Sequence, residues 1–358
     1  MERTELEEKA AGCLAGVAIG DAMGLPTQFM TPKDIESEFG EIDGFERAPA
    51  WHPYGNRRAG SVTDDTEQTL ALADELLKRG GNLTPEAAAA ALLGWAKDRG
   101  LLETDHIGPS TGEALRLIDS GMDPDRTGFK GVTNGASMRI SPVGIASPWP
   151  GYRPQNELVE EVQAACRATH NTPVAISGAA AVAGAITAGV SGTSGVGEII
   201  QTGKELSKTA YEKVEEELPD PEELDKKTTL EVMSGRVSPS VKERIDFAVE
   251  VARGSKTEKV ARRLYDLVGT GVRTIETVPA AFALLAVTEG DPLKVVKLAA
   301  NVGGDTDTLG AIAGGIAGAH AGLSGFPKKY LEKVEAINDL NIENYAEKLV
   351  RLRLKRGE

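Results

Sequence analysis

The sequence predicts an all-α fold built as a single large helical domain, and three observations carry that expectation. Alanine- and leucine-rich segments with a 3.6-residue period recur from end to end of the 358 residues, whereas alternating β-branched runs are scarce. Glycine occurs 41 times and aromatic residues make up only 4%, so small side chains let helices approach one another closely. Neither a fixed-period repeat nor a low-complexity linker divides the chain, which makes residues 1–358 one domain.

The first helix, residues 5–23, places Ala10, Cys13, Leu14, Val17 and Asp21 on one stripe by steps of three and four. A carboxylate on a buried stripe needs donors, a cation or a polar cavity, so Asp21 is either a structural cap for a neighbouring loop or part of a site. Residues 40–62 read as a loop in which Trp51, His52, Tyr54, Arg57 and Arg58 crowd together. It either covers the core or supplies stacking and anion contacts. Helices are expected at 65–79, 85–98, 111–120 and 155–169, the second opened by Thr84 with Pro85 at its first position. The helix at 177–189 contains almost only small residues and must be closely surrounded. Residues 203–257 change character, with alternating Lys and Glu and the run Pro219-Asp-Pro221, and read as a charged peripheral insertion. Core helices are then expected at 259–267, 278–288, 292–301 and 308–323, followed by a charged terminal helix from 330 to about 354. Gly310, Gly314, Gly318 and Gly322 repeat at the spacing of membrane helix pairs, but the segment is too short and too poor in large apolar residues to span a bilayer. Tight packing in a soluble core explains them.

Lys and Arg number 40 against 54 Asp and Glu, a net charge of −14 that disfavours nucleic acid and anionic membranes as partners. The two cysteines, Cys13 and Cys166, sit in apolar helical contexts and read as reduced core residues; with an acidic N-terminus unlike a signal peptide, this suggests a cytoplasmic protein.

Two segments share one pattern. Ser61-Val-Thr63-Asp64-Asp65-Thr66 and Gly303-Gly-Asp305-Thr-Asp307-Thr308 each put two carboxylates and flanking threonines at the start of an apolar helix. One cap uses one side chain, so each start carries more acid than capping requires. If the two starts meet, their repulsion calls for a pair of divalent cations, and an all-oxygen donor set selects hard ions such as Mg²⁺, Mn²⁺ or Ca²⁺ over zinc.

These residues also carry a family resemblance. Gly12-Cys-Leu-Ala-Gly-Val-Ala-Ile-Gly20-Asp21-Ala-Met-Gly24, Gly60-Ser-Val-Thr63-Asp64-Asp65-Thr66-Glu67, Asn134-Gly135-Ala-Ser-Met138-Arg139-Ile-Ser-Pro142, Thr169-His170 and Gly303-Gly-Asp305-Thr-Asp307-Thr308-Leu-Gly-Ala-Ile-Ala-Gly314 span nearly the whole chain. Together, in this order, they resemble the ADP-ribosylglycohydrolase family, relatives of the dinitrogenase reductase-activating glycohydrolase and the ADP-ribosyl-acceptor hydrolases. The resemblance implies an all-α enzyme with two Mg²⁺ or Mn²⁺ ions at the bottom of a cleft. Thr63, Asp64 and Asp65 would hold the ions from one side and Asp305, Asp307 and Thr308 from the other. The implied reaction is hydrolysis of an N- or O-ribosyl bond at C1 of ribose, with Asp64 or Asp305 accepting the proton of the attacking water. Asn134, Gly135, Ser137 and Arg139 offer donors for phosphate, with a salt bridge to a core carboxylate as the alternative for Arg139. His170 is either a helix-end cap or a substrate contact.

Two positions depart from the family. Where the family usually has a glutamate, Leu25-Pro26-Thr27 leads to Gln28, an amide that cannot be a base. Before Ile107-Gly108-Pro-Ser-Thr111, where members resembling the nitrogenase-reactivating enzyme have an aspartate, this chain has His106, with Asp105 one step earlier. Both fall where the leaving group and the catalytic proton are handled, so Gln28 and His106 join the substrate-binding candidates. The expected partner is an ADP-ribosylated protein or a small ribosyl compound such as a nucleoside. A relative that binds ADP-ribose without turnover is the alternative from another class.

Overall fold

Helix α1 (Arg3–Gly24) is buried at every residue from Ala10 to its end, because its side chains there are small enough for another helix to lie directly on its backbone. The computed structural model describes residues 1–104, 106–148, 155–220, 226–254 and 257–358, and among them regular structure is helical, with a lone bridge between Thr133 and Arg273. Helix α2 (Pro32–Phe39) opens on a capping box between Thr31 and Asp34. Helix α3 (Asp64–Lys78) is capped by Thr63, and α4 (Pro85–Asp98) by Thr84 with Pro85 at its first position. Helix α5 (Pro109–Asp119), the short α6 (Gly135–Met138) and α7 (Ser141–Ala146), and α8 (Gln155–Cys166) lead to α9 (Pro173–Val190), which is buried at every position. Four helices follow: α10 (Val196–Glu217), α11 (Lys226–Arg236), α12 (Val241–Arg253) and α13 (Thr257–Arg263). The chain ends with α14 (Thr274–Val287), α15 (Pro292–Val302), α16 (Thr306–Ala321), α17 (Lys328–Asn338) and α18 (Ile342–Arg356).

The centre is the antiparallel pair α1 and α16, flanked by α9, α15 and α18. A methyl group added to Gly16 would lie 2.0 Å from Gly314 O, and one added to Gly20 would lie 2.0 Å from Gly310 O. The glycine spacing seen in the sequence is therefore a backbone-to-backbone seam, and no larger residue fits it. Helix α1 with its extension to Thr27 and helix α9 are long and apolar enough to cross a bilayer, yet the apolar stretch of each is wholly buried inside the protein. Cys13 and Cys166 are free and buried.

Two stretches differ from expectation. Residues 203–257, read as a charged insertion, are two-faced: Gly203, Leu206, Ser207 and Ala210 of α10 are buried against α9, and Ile245, Ala248 and Ala252 of α12 pack towards α14, while the charges lie on the opposite faces. A lysine–glutamate alternation shows the wet face of an amphipathic helix and hides the dry one. The terminal helix expected from 330 to 354 is broken into α17 and α18, with Asp339 and Asn341 both in the left-handed region. The break is held by Glu335, whose carboxylate accepts from the backbone N–H groups of Leu340, Asn341 and Ile342 and so caps α18.

Candidate functional site

The antiparallel seam brings the C-terminal end of α1 against the N-terminal end of α16, and the start of α3 docks on both. Asp21, near the end of α1, is fully buried and accepts four hydrogen bonds from α3: from Thr63 N (2.9 Å) and Oγ1 (2.9 Å), and from Thr66 N (3.1 Å) and Oγ1 (2.5 Å). It is the cap that anchors α3, one of the two roles open to it from sequence. Residues 303–304 turn into α16 through two glycines at φ +86° and +85°; a methyl on Gly304 would sit 2.4 Å from Thr270 O.

The two acidic helix starts meet. Oxygens of Asp21, Asp65 and Asp307 lie within 4.8 Å of one another, all three residues being buried. Thr308 Oγ1 donates to Asp65 Oδ2 at 3.3 Å, and Thr63 Oγ1, its one hydrogen shared between Asp21 and Asp65, lies 3.1 Å from the same oxygen. Asp65 Oδ1 and Asp307 Oδ2 are buried without a hydrogen-bond partner. Burial pushes the carboxyl groups of Asp65 and Asp307 well above the usual range, and neighbouring carboxylates push further the same way. Burial likewise raises Asp64, next to Asp21 and Asp305, to about 7, and Asp21 to about 6. Orphaned carboxylate oxygens in a dry cluster, ringed by threonine hydroxyls, fit hard divalent cations.

Above the cluster opens a cavity of about 490 Å³, within the size range of small-molecule sites. Asp64, Asp65, Asp305 and Thr308 form its floor, and Gln28, His106, Asn134 and Gly135 stand in its walls. Asp305 is bracketed by two amides: Gln28 Nε2 donates to Oδ1 at 3.2 Å and Asn134 Nδ2 to Oδ2 at 2.6 Å. Gln68 Nε2 donates to Asp64 Oδ2 at 2.9 Å, and the Gly108 backbone N–H also serves Asp64. Thr63 and Asp307 lie buried beneath this floor.

Three candidates stand away from the cavity. Arg139 is fully buried and donates to Gln68 Oε1 (2.9 Å), Thr169 Oγ1 (2.5 Å) and Thr111 Oγ1 (3.3 Å). Its Nε is buried without a partner, and since the side chain is sealed from the cavity it reaches no substrate phosphate, nor does it pair with a carboxylate; it steadies Asp64 through Gln68. Burial lowers its guanidinium to about 10. His170, fully buried, bonds through its two ring nitrogens to Thr133 Oγ1 (3.0 Å) and Thr169 Oγ1 (2.8 Å), and burial holds its imidazole far below the usual range. Ser137 is buried as well. The short helix α6 divides the motif, turning Asn134, Gly135 and Met138 to the cavity and Ser137 and Arg139 into the protein. Residue type announces a donor but not its direction. Asp105 lies outside the described residues.

Sequence reasoning missed Phe29, Pro53, Ile107, Pro109, Met138 and Val272 in the cavity walls. Tyr54 also lines it, and the crowding of rings in the 40–62 loop was its signal. The arginines of that loop are used internally: Arg57 lies over the Tyr54 ring at 4.9 Å and donates to Val62 O, and Arg58 donates to Ile337 O.

A family model described as ADP-ribosylglycohydrolase matches residues 2–358. The chain is 33% identical over 353 residues to the protein YegU of Escherichia coli (strain K12), covering 98% of each. It is 24% identical to the ADP-ribosyl-dinitrogen reductase glycohydrolase of Rhodospirillum rubrum, covering 98% of this chain and 99% of that one. To the ADP-ribosylhydrolase ARH3 of Bos taurus it is 23% identical, over 92% of this chain and 90% of that one. A solved structure described as an ADP-ribosylglycohydrolase-related protein complex shares its fold, with a TM-score of 0.67 at 23% identity over 98% of this chain and 99% of that one.

Proposed function

The chain belongs to the ADP-ribosylglycohydrolase family of glycosyl hydrolases, and on that premise we propose that it hydrolyses an N- or O-ribosyl bond, ADP-ribosyl bonds included, at C1 of ribose with the help of two divalent cations, Mg²⁺ or Mn²⁺. The observation that carries this reading is the pair of orphaned oxygens, Asp65 Oδ1 and Asp307 Oδ2, directly under a cavity floored by Asp64 and Asp305. Thr63, Asp64, Asp65, Asp305, Asp307 and Thr308 would hold the ions. When bound, the ions supply positive charge that eases the loss of a proton from water and grips vicinal sugar hydroxyls.

The chain's own groups do the rest. Asp305, fixed by Gln28 and Asn134, and Asp64, fixed by Gln68, present carboxylates to the cavity, and one of them takes the proton of the water whose oxygen attacks C1. Gln28, as an amide, orients Asp305 and moves no proton. Asn134 and Gly135 face the sugar from the polar wall.

The test is release of ribosyl species from a panel of ADP-ribosyl-arginine and ADP-ribosyl-serine peptides and simple ribosides, with Mg²⁺, Mn²⁺ or chelator. Cation-dependent release that falls about 100-fold or more in Asp305→Asn is expected. Cation-dependent binding of ADP-ribose with no release from any substrate would overturn the reading in favour of a binding protein.

A further inference from the structure

The cavity lining mixes two chemistries. Asn134 and Gly135 bring polar groups to it, whereas Phe29, Tyr54 and His106 bring rings. Tyr54 packs against His106 with ring centroids 5.2 Å apart and planes inclined by 32°, and His52 and Arg57 fix Tyr54 from its other neighbours. His106 is half-buried; its backbone N–H bonds to Thr104 Oγ1, while its ring nitrogens have no hydrogen-bond partner among the described residues. Phe29 is 64% exposed although it lines the cavity, and its backbone sits at φ +63°, a costly conformation for a residue with a side chain. The arrangement is held by Phe29 N–H donating to Gly304 O at 2.6 Å and by Gly304 N–H donating to Met30 O at 2.9 Å, which ties Phe29 to the same turn that delivers Asp305.

The exposed apolar ring of Phe29, in a cavity with an acidic floor, lacks an occupant of matching chemistry. A guanidinium would seek a carboxylate on this wall and a phosphate would seek a cation. Among the described residues lining the cavity, no carboxylate stands outside the floor, and none is Lys or Arg. A flat, uncharged heteroaromatic ring gains stacking from the exposed Phe29 ring and a hydrogen bond from His106, whose ring is backed by the buried Tyr54. We infer that Phe29 and His106, the latter backed by Tyr54, form a leaving-group subsite for a planar heteroaromatic base, so that the substrate is an N-riboside of such a base. This rests on the ribosyl-hydrolase reading above and names its leaving group.

In the step so defined, the water oxygen bonds to C1′ as the C1′–N bond breaks, and its electron pair leaves on the base. His106 gives a ring proton to a nitrogen of the departing base, and a floor carboxylate takes the proton of the water. Ribose and the neutral base result; the protonated floor carboxyl then releases its proton to solvent, and His106 takes one up from solvent.

Inosine, adenosine, 4-nitrophenyl riboside and an ADP-ribosyl-arginine peptide are compared with the cation-loaded full chain. Nitrophenolate leaves without a proton and so reports ribosyl hydrolysis alone. A kcat/KM for one nucleoside at least tenfold above that for the peptide is expected. His106→Ala should lower kcat on that nucleoside about 100-fold and on nitrophenyl riboside less than threefold. Phe29→Ala, at an exposed position, should raise the nucleoside KM about tenfold, and in calorimetry on metal-free protein it should weaken binding of free adenine or hypoxanthine to the same degree. Turnover of nitrophenyl riboside without turnover of nucleosides, or a preference for the peptide, would overturn the subsite and leave the hydrolase reading standing. Equal losses on both ribosides in His106→Ala would remove His106 from the leaving group. Base binding without turnover of any substrate would keep the subsite and overturn the hydrolase.

Discussion

The acidic floor makes a prediction about stability that needs no substrate. Removing divalent cations with a chelator leaves carboxyl groups whose folded-state affinity for protons exceeds that of the unfolded chain. Asp64 rises from 3.8 to about 7, worth about 4 kcal/mol of preference for the protonated form, and Asp21 from 3.8 to about 6, worth about 3 kcal/mol. Since the folded values are raised, the favourable contribution is present below about pH 4 and is lost as pH climbs through 6 and 7. One retained proton relieves several of these repulsions at once, so the observable fall between pH 5 and pH 8 is set at about 3 kcal/mol, or roughly 4 °C in Tm for a chain of this size. Mg²⁺ or Mn²⁺ at a hundred times its Kd returns about 2.7 kcal/mol, with the larger gain at pH 8, where protons no longer compete. Asp307→Asn removes one charge and one orphaned oxygen, so its chelated form should melt higher than the parent at pH 8 and respond little to cation. Thermal melts across pH 5–8, with chelator or cation, read all of this. A metal-free Tm that is flat or rising over that range would refute the dehydrated cluster.

Two further outcomes follow from the packing around the site. Gly12→Ala and Gly20→Ala each drive a methyl group into the facing backbone, within 2.4 Å of Gly318 O and 2.0 Å of Gly310 O, and should each cost about 3 kcal/mol in urea unfolding. Both should also weaken Mn²⁺ binding in calorimetry, Gly20→Ala, beside Asp21, the more strongly; no loss in either would show that the seam does not set the ion site. Arg139→Leu strands Gln68, Thr169 and Thr111 without their buried donor, an expected loss of about 3 kcal/mol that Arg139→Lys, with one compact ammonium, should not restore.

What the sequence disclosed and what it withheld divide along a physical line. Local rules reached the helix starts: threonine caps, prolines at first positions and surplus carboxylates at 63–66 and 305–308 are decisions made within four residues. The break at 339–341 was out of reach because the same charged, apolar-periodic pattern runs on through it, and the cap from Glu335 exists only once the chain has turned. Arg139 and His170 looked like substrate donors because their chemistry is right, yet their partners Gln68, Thr111 and Thr133 come from other parts of the chain and consume that chemistry inside the protein. Asp21 stayed open for the same reason, as its four donors arrive from residues more than forty positions away. Phe29 gave no local signal at all; its place in the cavity is fixed by backbone bonds to Gly304.

The spacing of the carboxylates is itself a consequence of the glycines. Antiparallel helices with ordinary side chains between them stand 8–10 Å apart, and two acids projecting from such helices could stay separated by water. Here the α1 backbone rests on the α16 backbone from Gly12 to Gly24, where a methyl on Gly24 would lie 2.2 Å from Thr306 O. Asp21 and Asp307, at the same end of that seam, are thereby brought into one dry volume, and the α3 start, hung on Asp21 through Thr63 and Thr66, carries Asp65 into it. The repulsion that results opposes folding in the absence of cations, and the seam supplies close-packed contact along about three and a half helical turns to hold against it. A cation site in this fold is therefore a property of the whole α1–α16 pair, and the two acidic motifs acquire their chemistry from glycines far along the chain that touch no ligand.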